Sequence, residues 1–175
     1  MAHTPGTPTA SVARHRGNAG GRDTDNLRVV LDDVSKQIIE QLQQDGRRSY
    51  AAIGKAVGLS EAAVRQRVQR MIEVGAMQIV AVTDPMTLGF RRQTMIGIRC
   101  TGELERVAGH LAGMDEIDYV VITAGSFDLL IEVVCEDDDQ LLEILSRVRS
   151  IPSVTMTETF VYLKLCKQTY SWGTR

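Results

Sequence analysis

The sequence of 175 residues lacks the features that mark membrane and secreted proteins. No stretch approaches the roughly 18 consecutive apolar residues that a membrane-spanning helix needs. Residues 1–28 have no apolar core of the kind that a signal peptide needs. We therefore expect a cytoplasmic protein with no membrane partner. Apolar residues make up 43% of the chain and charged residues 24%, which excludes collagen-like, rod-like and fully disordered chains.

Cysteine and histidine are scarce, and their placement forms no metal or redox motif. The three cysteines are far apart, lack a CxxC spacing and lie in apolar, strand-like stretches: Cys100, Cys135 and Cys166. Small buried side chains in a reducing compartment are the favoured interpretation, with a redox pair or metal site as the alternative. The sequence also lacks a nucleophile elbow, a phosphate-binding glycine loop and an HExxH motif. We predict no catalytic residue, no enzymatic activity, no cofactor and no bound metal.

Charge is distributed unevenly along the chain. The net charge is −2, but residues 83–175 carry a net −5, while residues 46–72 hold six Lys or Arg against one acidic residue. A basic segment within an acidic protein indicates a polyanionic partner for that segment. Residues 1–28 contain Gly, Ser, Thr, Pro and Arg with almost no large apolar side chains, so we predict a disordered tail. Its arginines either contact phosphates nonspecifically or have no role.

Residues 29–82 predict a small helical domain. Apolar residues recur at helical spacing in three segments, with Ser49 and Ser60 placed as N-caps of the second and third helices. Gly58 is placed as the left-handed residue that ends the second helix. The segment 77–82 predicts a short strand. Three helices with a tight Gly58-Leu59-Ser60 turn are typical of a helix-turn-helix, and the strand would make it winged.

The third predicted helix, over residues 61–74, has an outer face that suits the major groove of DNA. Arginine can bond guanine O6 and N7, and glutamine can bond adenine N6 and N7. We predict that this face reads base edges, while the helix N-terminus and the preceding residues lie near phosphates. The candidate DNA-binding residues are Arg47, Arg48, Ser49, Lys55, Ser60, Glu61, Arg65, Gln66, Gln69 and Arg70. The alternative interpretation is a solvated basic face on a structural bundle.

The remainder of the chain predicts a linker and a second domain. Pro85 and Gly89 indicate a linker over residues 83–92. Six elements then follow in the order strand, helix, strand, strand, helix, strand, over residues 93–100, 103–113, 117–124, 128–135, 137–149 and 154–167. This order predicts a ferredoxin-like βαββαβ sandwich over residues 93–175, so the fold class is α+β.

Two acidic features of the second domain carry competing interpretations. The run from Glu136 to Asp139 lies at a predicted helix start, where acids stabilise exposed N–H groups, and this is favoured over a metal site. Asp128 follows a glycine turn at the start of an apolar strand, where a carboxylate needs a donor. Backbone N–H groups of the turn or the ammonium of an amino acid would serve. Phe160 and Tyr162 alternate along the last strand, which indicates core or a dimer seam.

Four stretches together resemble the Lrp/AsnC family of leucine-responsive, or feast/famine, transcription regulators: Leu31-Asp-Asp-Val, Gly58-Leu-Ser, Val68-Gln-Arg-Met and Ala124-Gly-Ser-Phe-Asp128. The resemblance extends from Leu31 to the C-terminus. It implies an effector-binding and oligomerisation domain over residues 93–175, with dimers formed through its sheets and assembled further, commonly into octamers. It also implies small effectors, typically amino acids, bound between dimers. The implied effector-binding residues are Ile122, Gly125, Ser126, Phe127, Asp128, Phe160, Val161 and Tyr162.

Three departures from the family pattern are visible: the long segment before Leu31, Ala124 where many members carry threonine, and Gly54 where helix-turn-helix proteins often have alanine. The expected function is sequence-specific regulation on double-stranded DNA, in the nucleoid-associated cytoplasm, in response to an amino acid or related metabolite. One alternative is an architectural DNA-organising protein with no small-molecule response. A second is an enzyme or allosteric subunit built on the ferredoxin-like domain, which no catalytic constellation supports.

Overall fold

The structure, a computed structural model, describes residues 31–175, and the statements below concern that part of the chain. The predicted disordered tail over residues 1–28 lies outside it. The elements in chain order are α1 Asp33–Gln44, α2 Tyr50–Val57, α3 Glu61–Glu73, β1 Arg92–Cys100, α4 Leu104–Ala112, β2 Ile117–Ile122, β3 Leu129–Cys135, α5 Asp138–Arg149 and β4 Val154–Val161. The order confirms the predicted α+β class. None of the helices in residues 31–175 is long and apolar enough to cross a membrane.

Capping residues set the starts of the three N-terminal helices. Asp32 begins α1, where its Oδ1 accepts the Ser35 N–H at 2.8 Å. Ser49 and Ser60 are the N-caps of α2 and α3, as predicted from the sequence. Each side-chain hydroxyl accepts the backbone N–H three residues further on, at 3.2 Å. Gly58 ends α2 in the left-handed conformation, with φ of 74°. The helices enclose a small core of Ile38, Ile39, Ile53, Val64, Val68 and Met71.

The wing strand predicted over residues 77–82 is wrong, because this segment has no regular secondary structure. Val80 and Val82 are 68% and 57% exposed, and none of the strands in the described chain pairs with this segment. A strand is stable only when its backbone groups pair with a neighbour, which apolar composition alone does not provide. The helical spacing in α2 predicts that Ala52, Ile53, Ala56 and Val57 face inward. Ala52 and Ala56 are instead exposed, so this prediction is wrong for both alanines.

The C-terminal domain is a four-stranded antiparallel sheet in the order β2-β3-β1-β4, with α4 and α5 on one face. The two central strands pair from Arg92 opposite Cys135 to Ile98 opposite Leu129. Alternate residues of each strand point toward the helices, as the pleat requires. The core between sheet and helices is Ile96, Ile98, Val107, Leu111, Met114, Ile117, Leu129, Ile131, Val133, Cys135, Leu141, Ile144 and Val148.

The second face of the sheet, which we call the open face, carries large side chains that stay partly exposed. Phe160 is 42% exposed, Met156 43% and Tyr119 50%. Met95 lies opposite Phe160 in the β1–β4 pairing, so both share this face. Of the two interpretations given for Phe160, burial in the core of one chain is therefore wrong, and a seam between chains stays a prediction.

Several predicted boundaries and facings are corrected in the C-terminal domain. Strand β4 ends at Val161 instead of residue 167. Val161 pairs with Thr94, and β1 has only Gln93 and Arg92 beyond that pair, so it is too short to pair with a strand that reaches residue 167. Cys166 therefore lies outside any strand and is exposed, contrary to its predicted burial. The helical spacing in α5 predicts that Leu141, Leu142, Leu145 and Val148 face inward, but Leu142 is 61% exposed and Ile144 is buried in its place. Asp137 caps α5, which confirms the structural role predicted for the acidic run.

Candidate DNA-binding and effector sites

The outer face of α3 presents an exposed row of long polar side chains. The row consists of Arg65, Gln66, Gln69 and Arg70, all of which the sequence predicted to read bases. Gln69 Nε2 donates to Glu73 Oε1 at 3.0 Å, one turn further along the helix. Because residues three and four apart share a helix face, the row forms a continuous stripe that the apolar core does not use.

Arg65 is oriented by two neighbours. Its Nη2 lies 2.8 Å from Glu61 Oε1, and its guanidinium carbon lies 5.2 Å from the centre of the Tyr50 ring. The carboxylate and the ring face are both attractive to a cation. Glu61 was predicted near DNA and occupies the first turn of α3, whereas Tyr50 of α2 was missed. Glu61 and Tyr50 together hold the guanidinium of Arg65 between α2 and α3.

Arg67, also in the basic segment, binds residues at the start of α1 and does not belong to the exposed row on α3. Its Nη1 donates to Asp32 Oδ2 at 2.7 Å and to Ser35 Oγ at 3.1 Å, which ties α3 to the start of α1. Hydrogen bonds from the Ser35 hydroxyl and the Ser35 backbone N–H, followed by the bond from Arg67, lower the pKa of Asp32 to about 2. Arg67 is half-buried and serves the fold, so the six basic residues of the segment are not equivalent.

The remaining candidate DNA-binding residues surround α2. Arg47 and Lys55 are exposed, and Arg48 donates to Gln41 Oε1 of α1. Ser49 and Ser60 lie at helix N-termini, where their hydroxyls accept backbone N–H groups as caps. The exposed N–H groups of a helix start attract anions, so both positions suit a phosphate.

The predicted effector turn, residues 123–128, is fastened to β1 through its backbone. Asp128 N–H donates to the Ile98 carbonyl at 2.9 Å, and Asp128 Oδ2 accepts the Cys100 N–H at 2.9 Å. The donor is therefore a backbone N–H, as one interpretation required, but it comes from the neighbouring strand instead of the turn. Burial, with a smaller contribution from Asp128, raises the pKa of the Cys100 thiol.

Two further bonds hold the carbonyl groups of the turn. Arg99 Nε donates to the Ser126 carbonyl at 2.7 Å, and Thr123 Oγ1 donates to the Phe127 carbonyl at 2.6 Å. Gly125 and Ser126 remain exposed at the tip. The turn is thus fixed at its base while its tip stays accessible to a ligand.

Phe127 crosses from the turn onto the open face. Its ring lies on Gly97 of β1, where a Cβ would be 2.7 Å from the ring atoms. The ring also meets Phe160 of β4 in an edge-on arrangement, with centroids 6.0 Å apart. The turn and the open face are therefore in direct contact through Phe127.

Of the remaining predicted effector residues, one lies beside the turn and two lie away from it within the same chain. Ile122 is 41% exposed at the end of β2, beside the turn. Val161 pairs with Thr94, a buried position on the helix side, so it faces away from Phe160. Tyr162 N–H donates to the Gln93 carbonyl, at the opposite end of β1 from Cys100.

Tyr162 belongs to a polar group on the open face. Gln93 Nε2 donates to Glu132 Oε1 at 2.8 Å. Burial, followed by the charge and hydrogen bond of Glu132, raises the pKa of Tyr162 to about 12. The sequence prediction missed Glu132, Gln93, Arg99 and Gly97. Two of these had a signal in the sequence. Glu132 is a charged residue inside an apolar strand, and Gly97 is a glycine inside a strand, which often marks the close approach of another group.

A basic helix-turn-helix joined to an α+β domain defines a DNA-binding regulator. Residues 31–72 match the AsnC-type helix-turn-helix domain, and residues 92–175 match the PF0864 C-terminal dimeric alpha+beta barrel domain. These two matches span most of the chain. The chain therefore belongs to the AsnC/Lrp family, and it is a transcriptional regulator with a dimeric-type C-terminal domain, not an enzyme.

Individual relatives agree with this assignment. The chain is 34% identical over 145 residues to the HTH-type transcriptional regulator FL11 of Pyrococcus furiosus, covering 82% of this chain and 96% of the relative. The solved structure of E. coli AsnC is 25% identical with a TM-score of 0.68, covering 81% of this chain and 97% of that one. A transcriptional regulator of Neisseria meningitidis, solved in complex with L-Met, shares the fold at 21% identity and a TM-score of 0.68, covering 81% and 95%.

Proposed function

We propose that this regulator recognises specific double-stranded DNA sites with the outer face of α3. We also propose that an amino acid, or a related metabolite, changes its assembly or its DNA affinity. The exposed stripe on α3 supports the first part. Arg65, Gln66, Gln69 and Arg70 read base edges, and Glu61 orients Arg65. The phosphate contacts come from Arg47, Arg48, Lys55 and the helix N-termini at Ser49 and Ser60.

The effector part is carried by the turn that is fixed at its base and exposed at its tip. A carboxylate has about four acceptor positions, so the bond from Cys100 leaves Asp128 able to bind an ammonium group. The exposed tip at Gly125 and Ser126 offers a hydroxyl and backbone N–H groups, which suit the carboxylate of the same ligand. An α-amino acid carries both an ammonium and a carboxylate group on one carbon atom, so a single ligand offers a partner to Asp128 and to the tip.

The scattered positions of the remaining candidates favour a site between chains. Phe160 and Ile122 are exposed near the turn, whereas Val161 and Tyr162 lie elsewhere in the same chain. A pocket containing all eight effector-binding candidates needs residues of more than one chain. We infer dimers that pair through the open face and assemble further, to octamers, with ligands between dimers. A regulator acting on chromosomal DNA works in the nucleoid-associated cytoplasm.

Replacing Asp128 by Asn tests the effector site with little disturbance. An asparagine oxygen still accepts the Cys100 N–H, but the negative charge that holds an ammonium is gone. The wild type and Asp128→Asn are compared by light scattering after size exclusion and by operator titration. Each is measured with the twenty amino acids in turn, beginning with L-Met.

The expected result is that one amino acid shifts the mass or operator affinity of the wild type, and that Asp128→Asn loses this response while binding DNA normally without ligand. A response that Asp128→Asn keeps in full removes this residue from the site. If no amino acid changes the wild type and footprints show no preferred half-sites, the protein is an architectural DNA organiser.

A further inference from the structure

The end of the chain returns to the first helix of the DNA-binding domain. After β4 ends at Val161, residues 162–175 form no regular secondary structure. Gly173 N–H donates to Gln43 Oε1 at 3.2 Å, and the Thr174 hydroxyl donates to Glu40 Oε1. These bonds join positions that are 130 and 134 residues apart in the sequence. They connect the C-terminal domain to α1 in addition to the linker.

The geometry of both partners suits this contact. Glu40 and Gln43 are three residues apart, so their side chains share one face of α1. Gly173 has φ of 73°, a conformation that glycine adopts without strain. The chain turns at this residue, and the Thr174 hydroxyl reaches Glu40. Thr174, Glu40 and Gln43 are each half-buried.

The two partners also carry opposite charge. Residues 162–175 contain Lys164, Lys167 and Arg175 and have no acidic residue. Residues 31–45, around α1, contain four acidic residues and one lysine. Opposite charge adds long-range attraction to a contact whose individual hydrogen bonds are weak at an exposed surface.

We propose that residues 162–175 are a strap that docks on α1 of the same chain and fixes the orientation of the helix-turn-helix relative to the C-terminal domain. The bonds are on α1, so the strap leaves the base-reading stripe of α3 free. Because the strap is tethered, its effective concentration at α1 is high, and two weak bonds suffice to hold it. Its release frees the DNA-binding domain, so the strap sets how a dimer presents its two α3 helices.

The chain contains a natural probe of strap docking. Trp172 is its single tryptophan and lies next to the docked residues. A docked strap tumbles with the whole protein, whereas a released strap moves faster. In the full-length protein, we expect Glu40→Ala combined with Gln43→Ala, and separately Thr174→Val, to lower the steady-state anisotropy of Trp172. The matched control is Gln44→Ala, an exposed glutamine of the same helix, which should leave the anisotropy unchanged.

The DNA measurement distinguishes a strap from a passive tail. Losing a fixed orientation adds ordering cost when two helix-turn-helix units must bind together. We therefore expect the strap variants to bind a two-half-site DNA about three- to tenfold more weakly, while their binding to a single half-site is unchanged. Equal anisotropy in the double variant and the wild type would overturn docking. Unchanged two-site affinity in a variant with a released strap would overturn its orienting role.

A cross-link tests whether the strap stays within its own chain. In a Cys166→Ser background, Gln43→Cys and Thr174→Cys are joined by a short bismaleimide and analysed on a denaturing gel. A cross-linked single chain is expected. A cross-linked pair of chains would show instead that the strap docks on the partner subunit and would overturn the proposal as stated. The outcome does not depend on any effector, so it stands apart from the test of Asp128.

Discussion

Gly54 of α2 lies against the backbone carbonyl of Leu59, at the turn between α2 and α3. A Cβ on Gly54 would be 2.4 Å from the Leu59 oxygen, and the Leu59 N–H donates to the Gly54 carbonyl at 2.9 Å. Glycine in a helix interior costs about 1 kcal/mol relative to alanine. The sequence departs from the common alanine here because the reversal of the chain brings backbone onto backbone, which leaves no room for a methyl group.

We predict that Gly54→Ala lowers the free energy of unfolding by about 1–3 kcal/mol, because a backbone carbonyl cannot move aside without shifting the turn. Gly109→Ala is the matched control, since Gly109 is also helical but has no atom within 4 Å of an added Cβ. That variant should gain about 0.5–1 kcal/mol from helix propensity. Urea unfolding of both variants measures the two values, and stabilisation by Gly54→Ala would contradict the packing argument.

Local chemistry in the sequence was sufficient for much of the DNA-binding domain. Ser49, Gly58 and Ser60 act on residues within three positions of themselves, so their roles as caps and turn could be predicted from the sequence. The wing strand could not, because apolar composition does not show whether a partner strand is present. The exposed position of Leu142 was missed for a similar reason, since a run of apolar residues in α5 leaves its inward face open to more than one choice.

The candidate sites depend on contacts between distant residues, and these were beyond sequence reasoning. The donor for Asp128 comes from Cys100, 28 residues earlier. Arg67 looked like the other arginines of its segment, but Asp32, 35 residues away, turns it into a structural residue. Residue type and charge pointed to α3 and to the turn at residues 123–128 as candidate sites, whereas the separate role of each residue depends on contacts that only the fold creates.

Two arginines of α3 should behave differently when replaced. Arg70 lies on the exposed stripe, so Arg70→Ala should weaken binding to a specific site by about 1–3 kcal/mol without lowering stability. Arg67→Ala removes the bonds to Asp32 and Ser35, so it should lower stability and leave the DNA affinity of the folded protein nearly unchanged. DNA titration and urea unfolding of the two variants give all four values. The reverse assignment would exclude Arg70 from the DNA interface.

The salt dependence of DNA binding should separate phosphate contacts from base contacts. Each neutralised phosphate adds about 0.9 to the steepness of log affinity against log salt. Lys55 is exposed on α2 and is one of the proposed phosphate contacts. Lys55→Ala should therefore reduce the slope by about 1 per protomer bound at the site and weaken binding to all DNA sequences alike. A slope that Lys55→Ala leaves unchanged would place this side chain away from the phosphates.

Asp32 should make the stability of the DNA-binding domain depend on acid. Its pKa falls from 3.8 to about 2 in the folded protein, chiefly through the Ser35 hydrogen bonds and then Arg67. A lowered folded pKa stabilises the protein above the unfolded value, and this contribution is lost as the pH falls from about 4 to about 2. Asp32→Asn retains a good N-cap but does not titrate.

The difference in unfolding free energy between wild type and Asp32→Asn should therefore shrink as the pH falls from about 4 to about 2. Urea unfolding at closely spaced pH values in this window measures it. Taking the difference between the two proteins removes the titration of other carboxylates, including Asp138, whose pKa Arg92 also lowers. A constant difference across the window would show that the Ser35 and Arg67 contacts do not stabilise the charged form of Asp32.

The contact of Phe127 with Gly97 predicts a strongly non-additive pair of substitutions. Gly97→Ala places a methyl group 2.7 Å from ring atoms, so the ring must leave its place between β1 and Phe160. We expect this change alone to cost about 1–3 kcal/mol of unfolding free energy. In a Phe127→Ala background the obstruction is absent, so the same change should cost little.

The four proteins of this cycle are compared by urea unfolding, and their dimer mass is checked by light scattering. A coupling of at least 0.5 kcal/mol is expected for residues in direct contact. Because Phe127 belongs to the turn and Gly97 to the open face, coupling shows that a change in the turn is felt where the proposed dimer forms. Additive effects would mean that the ring moves off Gly97 freely, and the turn would then need another route to influence assembly.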